Sequence, residues 1–147
     1  MINNNPYIEP SILPLVNAIN QTGLFTTFSS CEGHFSPGEQ TIDDRNSADV
    51  RFERKKGISE KSANTFLYFL VNQYPLGLIR AGLSVYKIYT PFHPLNSADY
   101  AYVIQIEPYD RFDTPEHKRA ETDEGIDMLL SITYKYQKKK KLRVACK

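Results

Sequence analysis

The sequence predicts an α+β protein in which helices pack on a single-layer antiparallel or mixed sheet of about four strands. Apolar residues recur at helical spacing over residues 10–21 and 59–73, whereas residues 48–55 alternate between apolar and polar side chains. The predicted elements follow one another in the order α-β-β-α-β-β-α. This order favours a sheet with helices packed on it.

The first half of the chain is predicted to contain two helices and two strands. Residues 10–21 form the first helix, because isoleucine, leucine and valine recur at helical spacing and a glycine follows. Residues 24–30 are rich in phenylalanine and threonine, which is typical of a strand. The alternating residues 48–55 form a strand with one buried face. Ser59 is a favourable N-cap for a second helix that ends at Gln73.

The second half is predicted to contain two strands and a last helix. Residues 78–90 and 98–107 are rich in β-branched and aromatic side chains, which favours strands. A loop with two prolines, residues 91–97, joins them. The last helix begins near Asp113, where a proline falls in the first turn, and it continues to the lysines at 138–141.

The length of 147 residues fits a single domain, predicted over residues 1–137 and followed by a basic tail over 138–147. Seven of the 18 basic side chains lie in residues 135–147, which contain no acidic one, so residues 1–134 carry 11 basic and 17 acidic side chains. An acidic body with a basic tail differs from a uniformly basic nucleic-acid-binding protein. The tail still has a sequence-independent attraction for phosphate.

The sequence also bears on the compartment. No apolar run approaches the roughly 20 residues that span a bilayer, and residues 1–6 contain no basic residue and no apolar run. Cys31 and Cys146 do not form the pattern of a disulfide framework. The sequence therefore predicts a cytoplasmic protein with reduced thiols and no membrane partner, and it leaves the oligomeric state open.

One loop, at the end of the first predicted strand, has the highest concentration of reactive and polar side chains in the chain. Its residues are Ser29-Ser30-Cys31-Glu32-Gly33-His34. Six such residues in a row have no use in an apolar core, and loops at strand ends are common places for sites. Cys31 and His34 are therefore the catalytic candidates. The ligand-binding candidates of this loop are Ser29, Ser30, Glu32 and Gly33.

Four interpretations of this loop remain open at the level of the sequence. Hydroxyls and backbone N–H groups would cradle a phosphate or carboxylate, with Gly33 allowing close approach of the backbone. Cys31 would act as a nucleophile with His34 as its base. In the third interpretation, Cys31 and His34 bind a metal together with His93. A C-x-x-H pair supplies only two ligands, so this interpretation is the least favoured of the four and no metal residues are predicted. The fourth interpretation is a strand end with a core cysteine and serines that satisfy turn hydrogen bonds.

His93 is a further ligand-binding candidate outside this loop. It lies between two prolines in residues 91–97. In one interpretation it faces the same cleft as His34 and adds a ligand there. In the other it is an exposed loop histidine.

Around the polar loop, the chain resembles the opening of the Tyw3 family, the tRNA methyltransferases of the wybutosine pathway. The resemblance rests on a helix that ends near Asn20, the pair Thr26-Thr27, the triplet Ser29-Ser30-Cys31, and Gly33. It implies N-methylation of a modified guanine base in tRNA with S-adenosylmethionine as cofactor. By position, it implies roles in the substrate or cofactor cleft for Ser29, Ser30, Cys31 and Gly33.

The chain departs from the family pattern at two positions of this segment. Phe28 is inserted between the threonine pair and the serine pair, and His34 stands where the family has arginine. The second change exchanges a fixed positive charge for a titratable one. Beyond about residue 56, no family motif is matched.

The sequence therefore favours a Tyw3-like tRNA-modifying or nucleotide-binding protein whose partner is tRNA or a nucleotide-like ligand. A non-enzymatic module that holds a small anion or a partner through the loop is the first alternative. A cysteine-dependent enzyme with Cys31 and His34 is the second. The sequence does not decide whether the protein is an enzyme.

Overall fold

The computed structural model describes residues 7–35, 47–75, 77–89, 100–110 and 112–145. Three helices and four strands follow one another in the predicted order: α1 (Leu13–Gln21), β1 (Phe25–Cys31), β2 (Ala48–Arg54), α2 (Glu60–Gln73), β3 (Ala81–Ile88), β4 (Ala101–Pro108) and α3 (Pro115–Ala145). The α+β prediction is confirmed.

The four strands form one antiparallel sheet in the order β1-β2-β4-β3. The central strands β2 and β4 come from different halves of the chain, so their pairing joins the two halves. β1 lies at one edge of the sheet. The first half of the polar loop, Ser29 to Cys31, is therefore part of an edge strand, and only Glu32, Gly33 and His34 follow the strand. Among the described residues, β1 has a neighbouring strand on one side only.

Local sequence explains the helix ends. Ser59 caps α2, because its hydroxyl accepts a hydrogen bond from the backbone N–H of Ser62 at 3.1 Å. α1 has no side-chain cap, and a proline occupies its first turn. Residues 10–12, which the periodicity had placed in α1, form a turn instead.

α3 continues through the lysines and ends at Ala145, so the predicted tail is helical over residues 138–145. Its first half is rich in acidic side chains and its last turns are basic. This distribution complements the helix dipole, whose positive end attracts anions and whose negative end attracts cations. α3 packs against α1 and α2 and against two of the four strands, β3 and β4.

The core lies between the helices and the sheet, and four aromatic rings form its centre. The ring centroid of Phe25 lies 4.7 Å from that of Phe52 and 5.5 Å from that of Phe66, and Tyr102 stacks on Phe52 at 5.7 Å. All four side chains are fully buried. Phe25 is the first residue of β1, so this cluster fixes the strand that carries the polar loop.

Candidate functional site

A β-bulge interrupts β1 just before the polar loop. The register of β1 against β2 shifts between Thr27 and Ser29, which leaves Phe28 as the extra residue. An inserted residue would otherwise turn every following side chain to the opposite face of the sheet. Because the bulge absorbs the extra residue, each serine of the pair stays on the face of the sheet that it would have without the insertion.

Asn20, near the end of α1, holds the outer edge of β1 at this bulge. Its side-chain oxygen accepts the backbone N–H of Thr27 at 3.0 Å, and its amide nitrogen donates to the Thr27 hydroxyl at 2.8 Å. An edge strand presents backbone groups without a strand partner. Asn20 satisfies one of these groups and fixes the distance between α1 and β1.

A cavity of about 690 Å³ lies between α1 and the outer edge of β1. Its walls combine apolar side chains, hydroxyls, amides and one ammonium group. The residues that line it include Tyr7, Asn17, Thr26, Phe28, Ser29, Ser30 and Lys55. Cavities of this volume that combine apolar walls with a few polar groups are typical of small-molecule sites.

The other half of the polar loop faces a different cleft. Glu32, Gly33 and His34 line a cleft of about 400 Å³ together with Glu9 and Arg119. Cys31 is among the lining residues of neither cavity. The structure therefore divides the six predicted residues: Ser29 and Ser30 line the α1–β1 cavity, Glu32, Gly33 and His34 line this second cleft, and Cys31 lines neither.

Cys31 and His34 come together with Glu9, a residue that the sequence did not identify. One donor atom from each of the three side chains lies within 4.8 Å of the other two. The His34 Nε2 atom is 3.3 Å from the Glu9 carboxylate. All three residues are partly buried. We call Glu9, Cys31 and His34 the Glu–Cys–His cluster.

Backbone donors hold two members of the cluster. The N–H of Glu32 donates to the Glu9 carboxylate at 3.1 Å, and the N–H of Gly33 donates to the Cys31 sulfur at 3.4 Å. The Glu32 carboxylate in turn accepts the N–H of Ser11 at 2.9 Å. The segment before α1 and the segment after β1 are thus joined by reciprocal hydrogen bonds.

Gly33 is the residue that allows the chain to turn between Cys31 and His34. Its φ of +90° lies in the left-handed region, which side chains with a Cβ rarely adopt. A Cβ there would also stand 2.7 Å from the ring of Phe35. The carbonyl of Gly33 accepts a hydrogen bond from Arg119 of α3 at 2.9 Å, and the Arg119 guanidinium lies over the Phe35 ring.

A further carboxylate faces the cluster from β2. Asp49 is directly opposite Cys31 in the sheet, so the two side chains share one face. Burial raises the pKa of Asp49, and the negative charge of Glu9 adds to the increase, whereas Arg51 lowers the pKa. The side chains of Arg51 and Asp49 lie 3.6 Å apart.

His93, the last of the predicted site residues, lies outside the described part of the chain. Cys146, which was not a predicted site residue, lies outside it as well. The proposal that His93 shares a cleft with His34 therefore stays a prediction. Cys31 carries a thiol that is not in a disulfide.

The chain has no match among models of protein families, among curated proteins or among solved structures. None of the helices in the described ranges combines the length and the apolar character that crossing a membrane requires.

Replacing Asn20 with alanine is expected to lower the free energy of unfolding by about 1–2 kcal/mol, because it removes two hydrogen bonds and leaves the part-buried N–H of Thr27 without its acceptor. Urea denaturation measures the loss, and amide exchange at Thr27 localises it. Asn17→Ala is the matched control, since Asn17 is exposed on the same helix. Equal stability of the two variants would contradict the role assigned to Asn20.

Proposed function

We propose that the protein binds a nucleotide-like ligand in the α1–β1 cavity and acts as a Tyw3-like tRNA-modifying protein with S-adenosylmethionine as cofactor. The observation that carries this proposal is that Thr26, Thr27, Ser29 and Ser30, four of the residues that resemble the family segment, line one cavity. Cys31 and Gly33, which also belong to the resembling segment, are not among the residues that line it.

The chemistry of the cavity supports a ligand that has an aromatic base at one end and a charged group at the other. Tyr7 and Phe28 offer rings on which a base stacks. The amide of Asn17 can donate to and accept from the edge of a base. The hydroxyls of the serine pair and the ammonium of Lys55 favour a phosphate or a carboxylate.

The bulge also supports the resemblance. Phe28 is the residue by which this chain departs from the family spacing, and Phe28 is the residue that the bulge absorbs. The side chains of Ser29 and Ser30 therefore keep the orientation that an uninterrupted strand would give them. The insertion changes the length of the segment without exchanging the faces of the sheet on which Ser29 and Ser30 lie.

The basic end of α3 supports tRNA as the partner. Lys140 lies against the carbonyl of Thr22 at 3.4 Å, just beyond the end of α1. Gln137 donates to the carbonyl of Ala18 within α1 at 3.0 Å. α1 therefore lies between a group of exposed lysines and the cavity. A phosphate backbone that these lysines bind would be separated from the ligand site by α1 alone.

Thermal unfolding tests the proposal with three probes: S-adenosylmethionine, S-adenosylhomocysteine and AMP. A ligand present at about 100 times its Kd stabilises the native state by about 2.7 kcal/mol, which raises the Tm of a domain of this size by several degrees. Lys55→Ala and Ser30→Ala are expected to reduce the shift. Lys56→Ala is the matched control, because Lys56 is exposed and is not among the lining residues of the cavity.

Each pattern of shifts decides between classes of function. Absence of a shift with all three probes would contradict the nucleotide site. A rise in Tm with AMP but with neither S-adenosylmethionine nor S-adenosylhomocysteine would exclude the methyltransferase function and favour a nucleotide-binding module.

The Glu–Cys–His cluster favours a second candidate function, a cysteine-dependent enzyme. His34 would take the proton of the Cys31 thiol, and Glu9 would orient the imidazole. In that case, iodoacetamide labels Cys31 faster than a model thiol at about neutral pH, and His34→Gln slows the labelling. Ordinary reactivity that is insensitive to His34 would remove this candidate.

A further inference from the structure

The Glu–Cys–His cluster has a composition that differs from an ordinary ion pair. It brings together a thiol, an imidazole and a carboxylate from two separate segments, one before α1 and one after β1. Their donor atoms lie within 4.8 Å of one another, which is close enough for one ion to contact all three after small side-chain rotations. Zn²⁺ and other first-row transition metals accept sulfur, nitrogen and oxygen ligands, whereas Mg²⁺ and Ca²⁺ prefer oxygen alone.

The surrounding backbone supports the charged forms of these ligands. A metal binds the thiolate of cysteine, and the N–H of Gly33 points at the Cys31 sulfur, where it stabilises negative charge. The N–H of Glu32 fixes one oxygen of Glu9 and leaves the other toward His34. Hydrogen bonds of this kind orient metal ligands in proteins and tune their affinity.

The charges around the cluster also favour a bound cation. Glu9 and Asp49 place two carboxyl groups close to the Cys31 sulfur, and metal binding would add the negative charge of the thiolate. Arg51 interacts with Asp49, and Arg119 pairs with Asp123. A divalent cation between Glu9 and Cys31 would offset the repulsion that these anions exert on one another.

We infer that Glu9, Cys31 and His34 bind a divalent transition-metal ion, with Zn²⁺ as the favoured ion. Binding replaces the proton of the Cys31 thiol with the metal, so that one sulfur–metal bond forms and one proton leaves to solvent. Three protein ligands leave one position of a tetrahedral zinc ion for water or a ligand, which is the arrangement of catalytic zinc sites. Glu9 and His34 both line the second cleft, which gives such a ligand access.

Titration of the reduced, metal-free protein with Co²⁺ tests this inference, because Co²⁺ reports its own ligands. One equivalent is expected to produce a thiolate-to-cobalt charge-transfer band in the near ultraviolet and d–d bands in the visible. Zn²⁺ is expected to displace the cobalt and to remove the bands. Cys31→Ser is expected to abolish the charge-transfer band and to raise the Kd at least about 100-fold, and Glu9→Gln and His34→Gln are expected to raise the Kd at least about tenfold.

Two matched variants control for adventitious binding. His117→Gln removes a histidine that is paired with a carboxylate elsewhere on the surface, where His117 Nδ1 lies 2.9 Å from Asp113. Cys146→Ser removes the other thiol of the chain. Neither change is expected to alter the cobalt spectrum, and the circular dichroism of each variant shows whether it is folded.

Several outcomes would overturn the inference. A spectrum without a charge-transfer band would do so, as would a band that disappears in Cys146→Ser and remains in Cys31→Ser. A Kd that is unchanged in both Glu9→Gln and His34→Gln would also contradict the three-ligand site. The inference does not rest on the proposed nucleotide site. The thermal shifts that test that site are measured on chelator-treated protein, so either proposal can fail without the other.

Discussion

Replacing Phe25 with alanine is expected to lower the free energy of unfolding by about 3–5 kcal/mol, which is the usual cost of removing a buried aromatic ring. The Phe25 ring is fully buried and contacts three aromatic neighbours, with centroids 4.7, 5.5 and 5.9 Å away. Alanine at this position leaves a cavity between β1, β2, β4 and α2. Urea denaturation at constant temperature measures the loss.

The same substitution at an exposed phenylalanine provides the control for Phe25→Ala. Phe112 is 91% exposed, so Phe112→Ala is expected to change the free energy of unfolding by less than about 0.5 kcal/mol. Phe25→Leu retains much of the buried volume, so its loss in free energy of unfolding is expected to lie between those of Phe25→Ala and Phe112→Ala. A loss below about 1 kcal/mol for Phe25→Ala would show that β1 is not anchored by this ring.

Replacing Gly125 with alanine is expected to lower the free energy of unfolding by about 1–3 kcal/mol through overpacking. A Cβ at this position would stand 2.8 Å from the Ile106 Cγ2 atom and 3.1 Å from the Tyr74 hydroxyl. Neither neighbour moves easily, because Ile106 is a buried β-branched residue of β4 and the Tyr74 hydroxyl donates to the carbonyl of Ala81 at 2.6 Å.

Intrinsic helix propensity opposes this loss, since alanine is favoured over glycine by about 1 kcal/mol inside a helix. Ser131 is exposed on the same helix, so the difference between Ser131→Ala and Ser131→Gly measures the propensity term directly. We expect Gly125→Ala to be destabilising by fluorescence or calorimetry despite that term. A stabilised Gly125→Ala variant would show that α3 is not in close contact with β4 at this point.

The sequence predicted the elements of this fold because their signals are local. Strict alternation over residues 48–55 predicted β2, and the serine before α2 predicted its cap. Gly125 shows where local signals fail. Glycine has a low helix propensity, yet α3 continues through Gly125, which lies in close contact with the sheet.

The candidate site was predictable only in part, for the same reason. The polar loop is contiguous in the sequence, so its composition alone distinguished it. Glu9 reaches the loop from 23 residues away, and Arg119 reaches it from 86 residues away. Such contacts depend on how the elements pack, which no pattern within the loop encodes. The division of the loop between two cavities depends in addition on the bulge at Phe28.

The most direct test of the proposed ligand site is a heteronuclear NMR titration of the metal-free protein with S-adenosylhomocysteine. Binding in the α1–β1 cavity is expected to change the amide shifts of Thr26, Thr27, Ser29 and Ser30 and of Asn17 in α1, which line the cavity. Saturating ligand that leaves these amides unchanged would contradict it. Shifts confined to the groove between α2 and β3, around Tyr68 and Tyr86, would contradict it equally.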